Sequence, residues 1–246
     1  MRRFFTDPEN INGDEVRIIE DASHICKVLR MGVGDEIIVF DGSGVEYSAT
    51  LTQIAPKECI AKISDKRLSE SEPDIKVYLF QGIPKSGKME TIVQKVVELG
   101  AYKIVPVEMK RCVVRLDEKG RSSKTARWNK VSIEAAKQCG RSVIPEVCEA
   151  VDFKKAVSLM TKLDLAIMPY EVLGHKGERG LREILKDFHG KSVGILVGPE
   201  GGFSDEEAEY AVDCGIKQIG LGKRILRTET VGSTVVPIIM YEKGEI

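Results

Sequence analysis

Apolar positions change their rhythm part-way along this chain. Up to residue 68 they fall in short β-branched or aromatic stretches: Val16–Ile19, Glu36–Phe40, Glu46–Leu51 and Cys59–Ile63. Stretches of that kind, bounded by turn residues, predict strands. Asp41-Gly-Ser-Gly44 lies between two of them and predicts a tight turn, because Gly tolerates positive φ. One helix is expected among the strands, capped by Asp21, with Ile25, Val28 and Leu29 on one face. Short strands with tight turns suggest a small barrel over residues 1–68. Ser69-Glu-Ser-Glu-Pro-Asp74 is polar, lacks periodicity and contains a Pro, so it reads as a linker at 69–74.

From Ile75 strand and helix patterns alternate through residues 75–246. Ile75–Gln81 is short and apolar, and Met89, Ile92, Val93, Val96 and Val97 then follow helical spacing up to Gly100. Lys103–Glu108 predicts a strand, and Trp128, Val131, Ala135, Ala136 and Cys139 a helix that ends at Gly140. Phe153, Ala156, Val157 and Met160 form a further helical stripe, as do Leu181, Ile184, Leu185 and Phe188. Leu163–Tyr170 and Ser192–Val197 are near-continuous apolar runs, the mark of strands buried on both faces. Ser204 with Glu207 predicts a capping box, opening a helix that Gly215 can end. Lys217–Leu221 is one more strand, and Thr230–Tyr241 is a strongly apolar final segment. This alternation predicts an α/β domain with a mostly parallel sheet and helices on both faces.

Composition narrows the class. The chain has 246 residues, 42% apolar and 30% charged, enough for one or two domains with real cores. Lys plus Arg is 37 against 38 Asp plus Glu, which excludes a uniformly basic nucleic-acid coat but not a local basic face. No apolar run approaches the ~20 residues of a membrane span, and Met1–Asp7 lacks the apolar stretch of a signal peptide. A cytoplasmic protein is therefore expected. The six Cys are scattered without a C-x-x-C pair, and His24, His175 and His189 are isolated, so neither a disulfide frame nor a metal site is expected.

Three segments could carry chemistry. Gly82-Ile-Pro-Lys-Ser-Gly87-Lys88 has the spacing of a phosphate loop between a strand and a helix. Met89 follows, where such a loop needs a Ser or Thr hydroxyl for Mg²⁺, so Lys85 and Lys88 read as ordinary surface charges. Gly198-Pro-Glu-Gly-Gly202 follows a buried strand and precedes a capped helix, the place where open α/β sheets bind ligands. Asp205, Glu206 and Glu207 argue against a phosphate there. Leu221-Gly-Lys-Arg-Ile-Leu-Arg-Thr-Glu-Thr230 also follows a strand and joins Gly to polar side chains. Two such loops converging are much less readily bland than one.

Gly198–Gly202 paired with Leu221–Thr230 resembles the signature of the SPOUT methyltransferases. It is closest to the RsmE family, the uridine-N3 methyltransferases of small-subunit (16S) ribosomal RNA. The likeness extends to Met1-Arg-Arg-Phe-Phe5, His24–Arg30 with Gly34-Asp35, Lys88–Gly100 and Glu134–Arg141. It implies a PUA-like β-barrel for RNA followed by a methyltransferase domain threaded into a trefoil knot, a homodimer, and S-adenosylmethionine as cofactor. Carried over, the cofactor cradle is Gly198, Pro199, Glu200, Gly201 and Gly202, with Leu221, Gly222, Ile225, Leu226 and Arg227 opposite and a third part near Tyr170 and Glu171. Methylation of uracil N3 needs a base or a stabiliser of the uracil anion. Arg227 could stabilise the charge, and Glu200 or Glu229 could take the proton, although capping or pairing with nearby Arg suits Glu229 better.

RNA contact must come from local charge. Between Lys103 and Arg141 eleven Lys/Arg face four acids, a surplus of seven. Lys110–Arg127 reads mainly as an irregular loop suited to phosphates, with Arg111, Arg115 and Arg141 as candidates. Arg2, Arg3 and Arg30 form a second basic set, and His24 could join it. The final apolar segment suits a core, a dimer interface, or both. Two rival readings remain: a non-catalytic RNA-binding or ribosome-assembly factor of the same fold, and an NTPase.

Overall fold

Period-two alternation in the first 68 residues becomes a curled sheet. The computed structural model describes residues 1–85, 87–170 and 180–246. Strands β1 (Arg2–Phe5), β2 (Ile11–Asn12), β3 (Glu15–Ile18), β4 (Glu36–Phe40), β5 (Val45–Ile54) and β6 (Cys59–Leu68) pair in the order β1-β4-β5-β6-β3-β2. Only β1 and β4 run parallel. Alternate side chains, among them Val16, Ile18, Ile37, Val39, Ala49, Leu51 and Ala61, point to one face and close a core with Phe4 and Ile25. The Thr6 hydroxyl donates to the Arg17 carbonyl at 2.6 Å, tying the end of β1 to β3.

The expected helix is a single π-helical turn, His24–Val28. Ile25 is buried as expected, but Val28 is exposed, because a wider turn rotates less per residue and the residue three on falls short of the buried face. Asp21 does not cap this turn. Its carboxylate accepts from Lys137 Nζ at 2.8 and 2.9 Å.

That pair belongs to a wider pattern. The chain divides into two units, Met1–Glu72 with Ile133–Ile144, and Pro73–Ser132 with Pro145–Ile246. Residues 133–144, expected in the second domain, thus group with the first. Polar pairs recruit them. The buried Glu46 carboxylate accepts from Ser142 Oγ at 2.7 Å, Arg3 Nη2 at 2.9 Å, Arg67 Nη2 at 3.0 Å and Ser69 Oγ at 3.1 Å. Glu72 accepts from Arg141 Nη2 at 2.7 Å and from the backbone N–H groups of Val143 and Ser142 at 3.0 and 3.1 Å. Residues of the expected linker therefore carry fixed contacts. Burial alone would raise the Glu46 carboxyl, but hydrogen bonds from Ser142, Arg3 and Arg67 lower it to about 2.

The second unit contains β7 (Lys76–Gly82), α1 (Lys88–Glu98), β8 (Lys103–Glu108), α2 (Glu118–Cys139), β9 (Glu146–Val147), β10 (Val151–Asp152) and α3 (Phe153–Met160). It continues with β11 (Leu165–Pro169), α4 (Leu181–Lys186), β12 (Ser192–Val197), α5 (Asp205–Asp213), β13 (Lys217–Ile219) and α6 (Thr228–Glu242). The last turns of α2 are the part that groups with the first unit. The basic segment expected as a loop is therefore helical from Glu118, with the Asp117 carboxylate accepting the Gly120 N–H at 2.8 Å as a cap. The capping box at Ser204 and Glu207 is present. Gly100, Gly140 and Gly215 all lie at positive φ just beyond helix ends.

All strands of this sheet run parallel in the order β10-β8-β7-β12-β11-β13, with β9 beside β8. β12 lies between β7 and β11, and it pairs with β7 from Ser192↔Lys76 to Val197↔Gln81. The final apolar segment forms α6, which buries Val235, Val236, Ile239 and Met240 and packs Gly232 beside Leu79 and Val96. Among the described residues, no helix is long and apolar enough to cross a membrane.

Removing the Glu46 charge tests the stitching of residues 133–144. Glu46→Gln leaves two arginines without their carboxylate, a loss of about 3 kcal/mol for a buried pair. Because the folded pKa is depressed, this stabilisation is complete above the ordinary carboxyl range and fades as pH falls toward about 2. Urea unfolding should show a lower midpoint for the variant at pH 7, with the gap narrowing at pH 3. Equal midpoints at pH 7 would remove Glu46 from the account.

Candidate active site

The carboxyl ends of β7, β11, β12 and β13 lie side by side, so the segments that follow them meet. A cavity of about 500 Å³ opens there, a size suited to a small cofactor. One wall is the loop after β12, Gly198, Pro199, Glu200, Gly201 and Gly202. The other is the segment between β13 and α6, with Leu221, Gly222, Ile225, Leu226 and Arg227. Tyr170, at the end of β11, also lines it. Glu171, expected beside Tyr170, lies outside the described residues.

Local chemistry explains the shape of the first wall. The Gly202 N–H closes a turn onto the Pro199 carbonyl at 2.9 Å, with Gly202 at φ +66. The Thr228 hydroxyl, at the start of α6, donates to the Gly198 carbonyl at 2.6 Å. Buried Gln81 donates to that same hydroxyl at 2.9 Å. The last residues of β7, the loop after β12 and the first turn of α6 are therefore joined by one short chain of hydrogen bonds. Gly82 is required by close approach, since a Cβ there would sit 2.6 Å from the Pro199 nitrogen. Tyr170 meets Phe203 edge-on, with ring centres 6.3 Å apart.

The charges in the cavity form a mixed cluster. Lys88 Nζ lies 3.1 Å from Glu200 Oε1 and 3.2 Å from Glu229 Oε2. The Lys85 backbone N–H also donates to Glu200, at 3.1 Å. Burial tends to raise the Glu200 carboxyl, but hydrogen bonds from its own N–H, Lys88 and Lys85 hold it below the usual range. Glu229 is lowered first by its own backbone N–H at the helix start, then by Lys88 and Arg227. The two carboxylates push the Lys88 ammonium up. Lys88 is thus a cavity residue and not the plain surface charge expected from sequence. Glu229 bonds at the helix start and pairs with Lys88, with Arg227 adding a weaker attraction.

The expected RNA-contact arginines divide. Arg2 and Arg30 are exposed, and Arg30 is a non-glycine residue at positive φ. Arg3 and Arg141 are largely covered: their side chains are 17% and 5% exposed and pair with Glu46 and Glu72. Both are held in ion pairs within the first unit, an arrangement that the sequence reading did not anticipate. Arg115 is exposed, with Nη2 donating to the Lys110 carbonyl at 3.1 Å. Arg111 lines the cavity, and its Nη1 donates to the Gly201 carbonyl at 3.1 Å. Arg224 and Thr228, among the polar residues of the Leu221–Thr230 segment, do line the cavity, whereas Lys88 and Arg111 were not expected there. The signals for Lys88 were its place at the start of the helix after β7 and its membership of the Lys88–Gly100 stretch that resembles the family, but neither showed which carboxylates it would meet.

A Gly-walled cavity at the carboxyl edge of a parallel sheet, in a chain that also carries a small β-rich unit, has clear relatives. Residues 70–240 match the family described as an RNA methyltransferase domain, and residues 20–64 match the RNA methyltransferase PUA domain. The chain belongs to this RNA methyltransferase family. Within it, the ribosomal RNA small subunit methyltransferase E of Bacillus subtilis is 35% identical over 225 residues, 91% of this chain and 88% of that protein. The structure of the ribosomal RNA small subunit methyltransferase E from Neisseria gonorrhoeae, bound to S-adenosyl methionine, matches with a TM-score of 0.85 at 30% identity, covering 98% of this chain and 97% of that one. A Legionella pneumophila methyltransferase solved with bound SAM gives 0.86 at 30% identity, covering 97% and 96%. The expected fold, a parallel-sheet methyltransferase domain of SPOUT type preceded by a PUA-like domain, is the fold of these relatives.

Gly82→Ala tests the close approach that shapes the cavity. The added methyl meets backbone at 2.6 Å, whereas the Cβ of Gly32→Ala meets nothing within 4 Å. Overpacking of this kind costs about 1–3 kcal/mol. Thermal unfolding should therefore fall by several degrees for Gly82→Ala and stay nearly unchanged for Gly32→Ala. Equal behaviour of the two variants would contradict the packing described.

Proposed function

We propose that this protein transfers a methyl group from S-adenosylmethionine to N3 of a uridine in 16S ribosomal RNA. The observation that carries the reading is the cavity itself, built from glycine backbone on one side and apolar side chains on the other, in a chain that aligns almost end to end with SAM-bound relatives.

The residues present fit that cofactor. Gly198, Gly201 and Gly202 carry no side chain, so a flat ring such as adenine can lie close against the backbone of this loop. Leu221, Ile225 and Leu226 offer an apolar slot, and Ile225 is 73% exposed, surface that a bound ring would cover. Tyr170 and Pro199 complete the cradle, and Glu200 and Glu229 supply negative charge toward a sulfonium. When bound, the cofactor supplies an electrophilic methyl group.

The chain must then manage the proton and the charge of the uracil. Arg227 lines the cavity and is exposed to an incoming base, placing a cation for the negative charge that develops on the uracil oxygens. Glu200 is held ionised by Lys88 and Lys85, so it can accept a proton only weakly. Its better role is to present charge to the cofactor, with Arg227 carrying the catalytic contribution. The hydrogen-bonded edge of a paired uridine is closed, so the target must be unpaired or flipped out.

Arg2 and Arg30 in the first unit, and Arg111 and Arg115 in the second, are the proposed RNA contacts. In this reading residues 1–68 serve RNA binding and residues 75–246 the chemistry. The trefoil knot belongs to the same reading, and the Thr228–Gly198 hydrogen bond is in keeping with it. So does a homodimer, supported by the exposed Ile238 and Tyr241 on α6. Action in the cytoplasm, on the small ribosomal subunit, completes the proposal. An NTPase is disfavoured because Lys88 already bridges two carboxylates that would repel a triphosphate.

Calorimetric titration with S-adenosylmethionine and, separately, with Mg-ATP tests the reading. Binding of the first alone is expected, and binding of ATP alone would overturn it. Arg227→Ala should then lower turnover by about 10²-fold or more while changing cofactor affinity far less. Equal loss of both would make Arg227 a cofactor ligand.

A further inference from the structure

The stretch Gly82–Lys88 is left unexplained by cofactor binding, although it leads directly into the cavity. Its described residues touch both walls. Gly82 packs on Pro199, and the Lys85 N–H donates to Glu200. Lys88, the first residue of α1, reaches Glu200 on the loop after β12 and Glu229 in the first turn of α6. One ammonium therefore spans the two segments that form the opposite sides of the cavity.

We propose that Lys88 is a positioning residue for methyl transfer, clamping Glu200 and Glu229 so that the loop after β12 and the start of α6 keep the separation the cofactor needs. This inference rests on the function proposed above. Without the ammonium, two carboxylates would face each other across the cavity, and like charges at that range either separate or take up a proton. The three side chains are 34%, 25% and 24% exposed, so solvent screens the cluster less than a surface pair. Other charges reach the same space. Arg224 and Arg227 come from the segment before α6, and Arg111, bonded to the Gly201 carbonyl, from the segment after β8. On α1 itself, Glu90 is turned toward Arg127 at 2.8 Å and does not compete for Lys88. Each shift of charge runs the same way: both carboxyls are held low and the ammonium high, so the clamp stays closed through neutral pH.

The test compares Lys88→Met and Lys88→Arg with the wild-type full-length protein. Cofactor affinity is read by calorimetry with S-adenosylmethionine. kcat and KM are read on small-subunit ribosomal RNA between pH 5 and pH 9. For Lys88→Met we expect roughly tenfold weaker cofactor binding and up to about 10²-fold lower kcat, the range seen when reacting groups are misplaced. The acid limb of kcat/KM should also move up by about one pH unit, because the carboxylates lose a close cation. Lys88→Arg should keep the wild-type acid limb and recover most of the affinity. If Lys88→Met does not fold, Lys88→Gln is read in its place. Wild-type affinity and an unmoved acid limb in the uncharged variant would overturn the clamp alone, as would a Lys88→Arg variant no better than Lys88→Met. Failure of the wild-type protein to bind the cofactor would instead overturn the function beneath it.

Discussion

The pairing of β12 with β7 is the constraint on which the site depends. It sets strands more than a hundred residues apart side by side over six positions, Ser192↔Lys76 to Val197↔Gln81. Everything at the carboxyl edge follows from that register. Gly82 comes so close to Pro199 that no side chain fits, Gln81 reaches Thr228, and Thr228 reaches the Gly198 carbonyl. The Gly-rich loop is thus shaped by neighbours remote in sequence, and glycine serves close approach as much as it serves a ligand.

Charge plays a similar joining part in both units, with different consequences. In the first, Glu46 and Glu72 are shielded carboxylates whose partners are arginines and backbone N–H groups, and they bind residues 133–144 to the strands. Those pairs hold Arg3 and Arg141 within the first unit. In the second, Lys88 and its two carboxylates are only partly covered and line a cavity. A shielded cluster of matched charges supports the fold. A half-exposed one next to a cavity can also tune what enters it.

Elements with strong periodicity were legible in the sequence. The strands at 103–108 and 192–197, the stripe from Met89 to Val97 and the capping box at Ser204 correspond to β8, β12, α1 and α5. Other elements depended on contacts that no local pattern carries. The turn at His24–Val28 is π-helical, buries Ile25 and exposes Val28, which the α-helical spacing read from the sequence placed on one face. The basic stretch before Trp128 is helical because Asp117 caps it, despite Gly120 and two serines. The assignment of residues 133–144 to the first unit goes with partly covered ion pairs to Asp21 and Glu72 and a hydrogen bond from Ser142 to Glu46. In the candidate site, the two Gly-rich walls stood out because their composition is unusual. Lys88 and Arg111 did not, since a lysine or arginine in sequence carries no mark of the carboxylate or carbonyl it will meet.

The central claim is that this cavity presents a methyl donor to the N3 position of one uridine in small-subunit ribosomal RNA. The most direct measurement incubates unmodified small subunits, or their RNA, with the protein and isotope-labelled S-adenosylmethionine, then identifies the labelled nucleoside by mass spectrometry. The account predicts label in 3-methyluridine at a single position. Label on a ribose or on another base, or no label on either substrate while the cofactor binds, would contradict it.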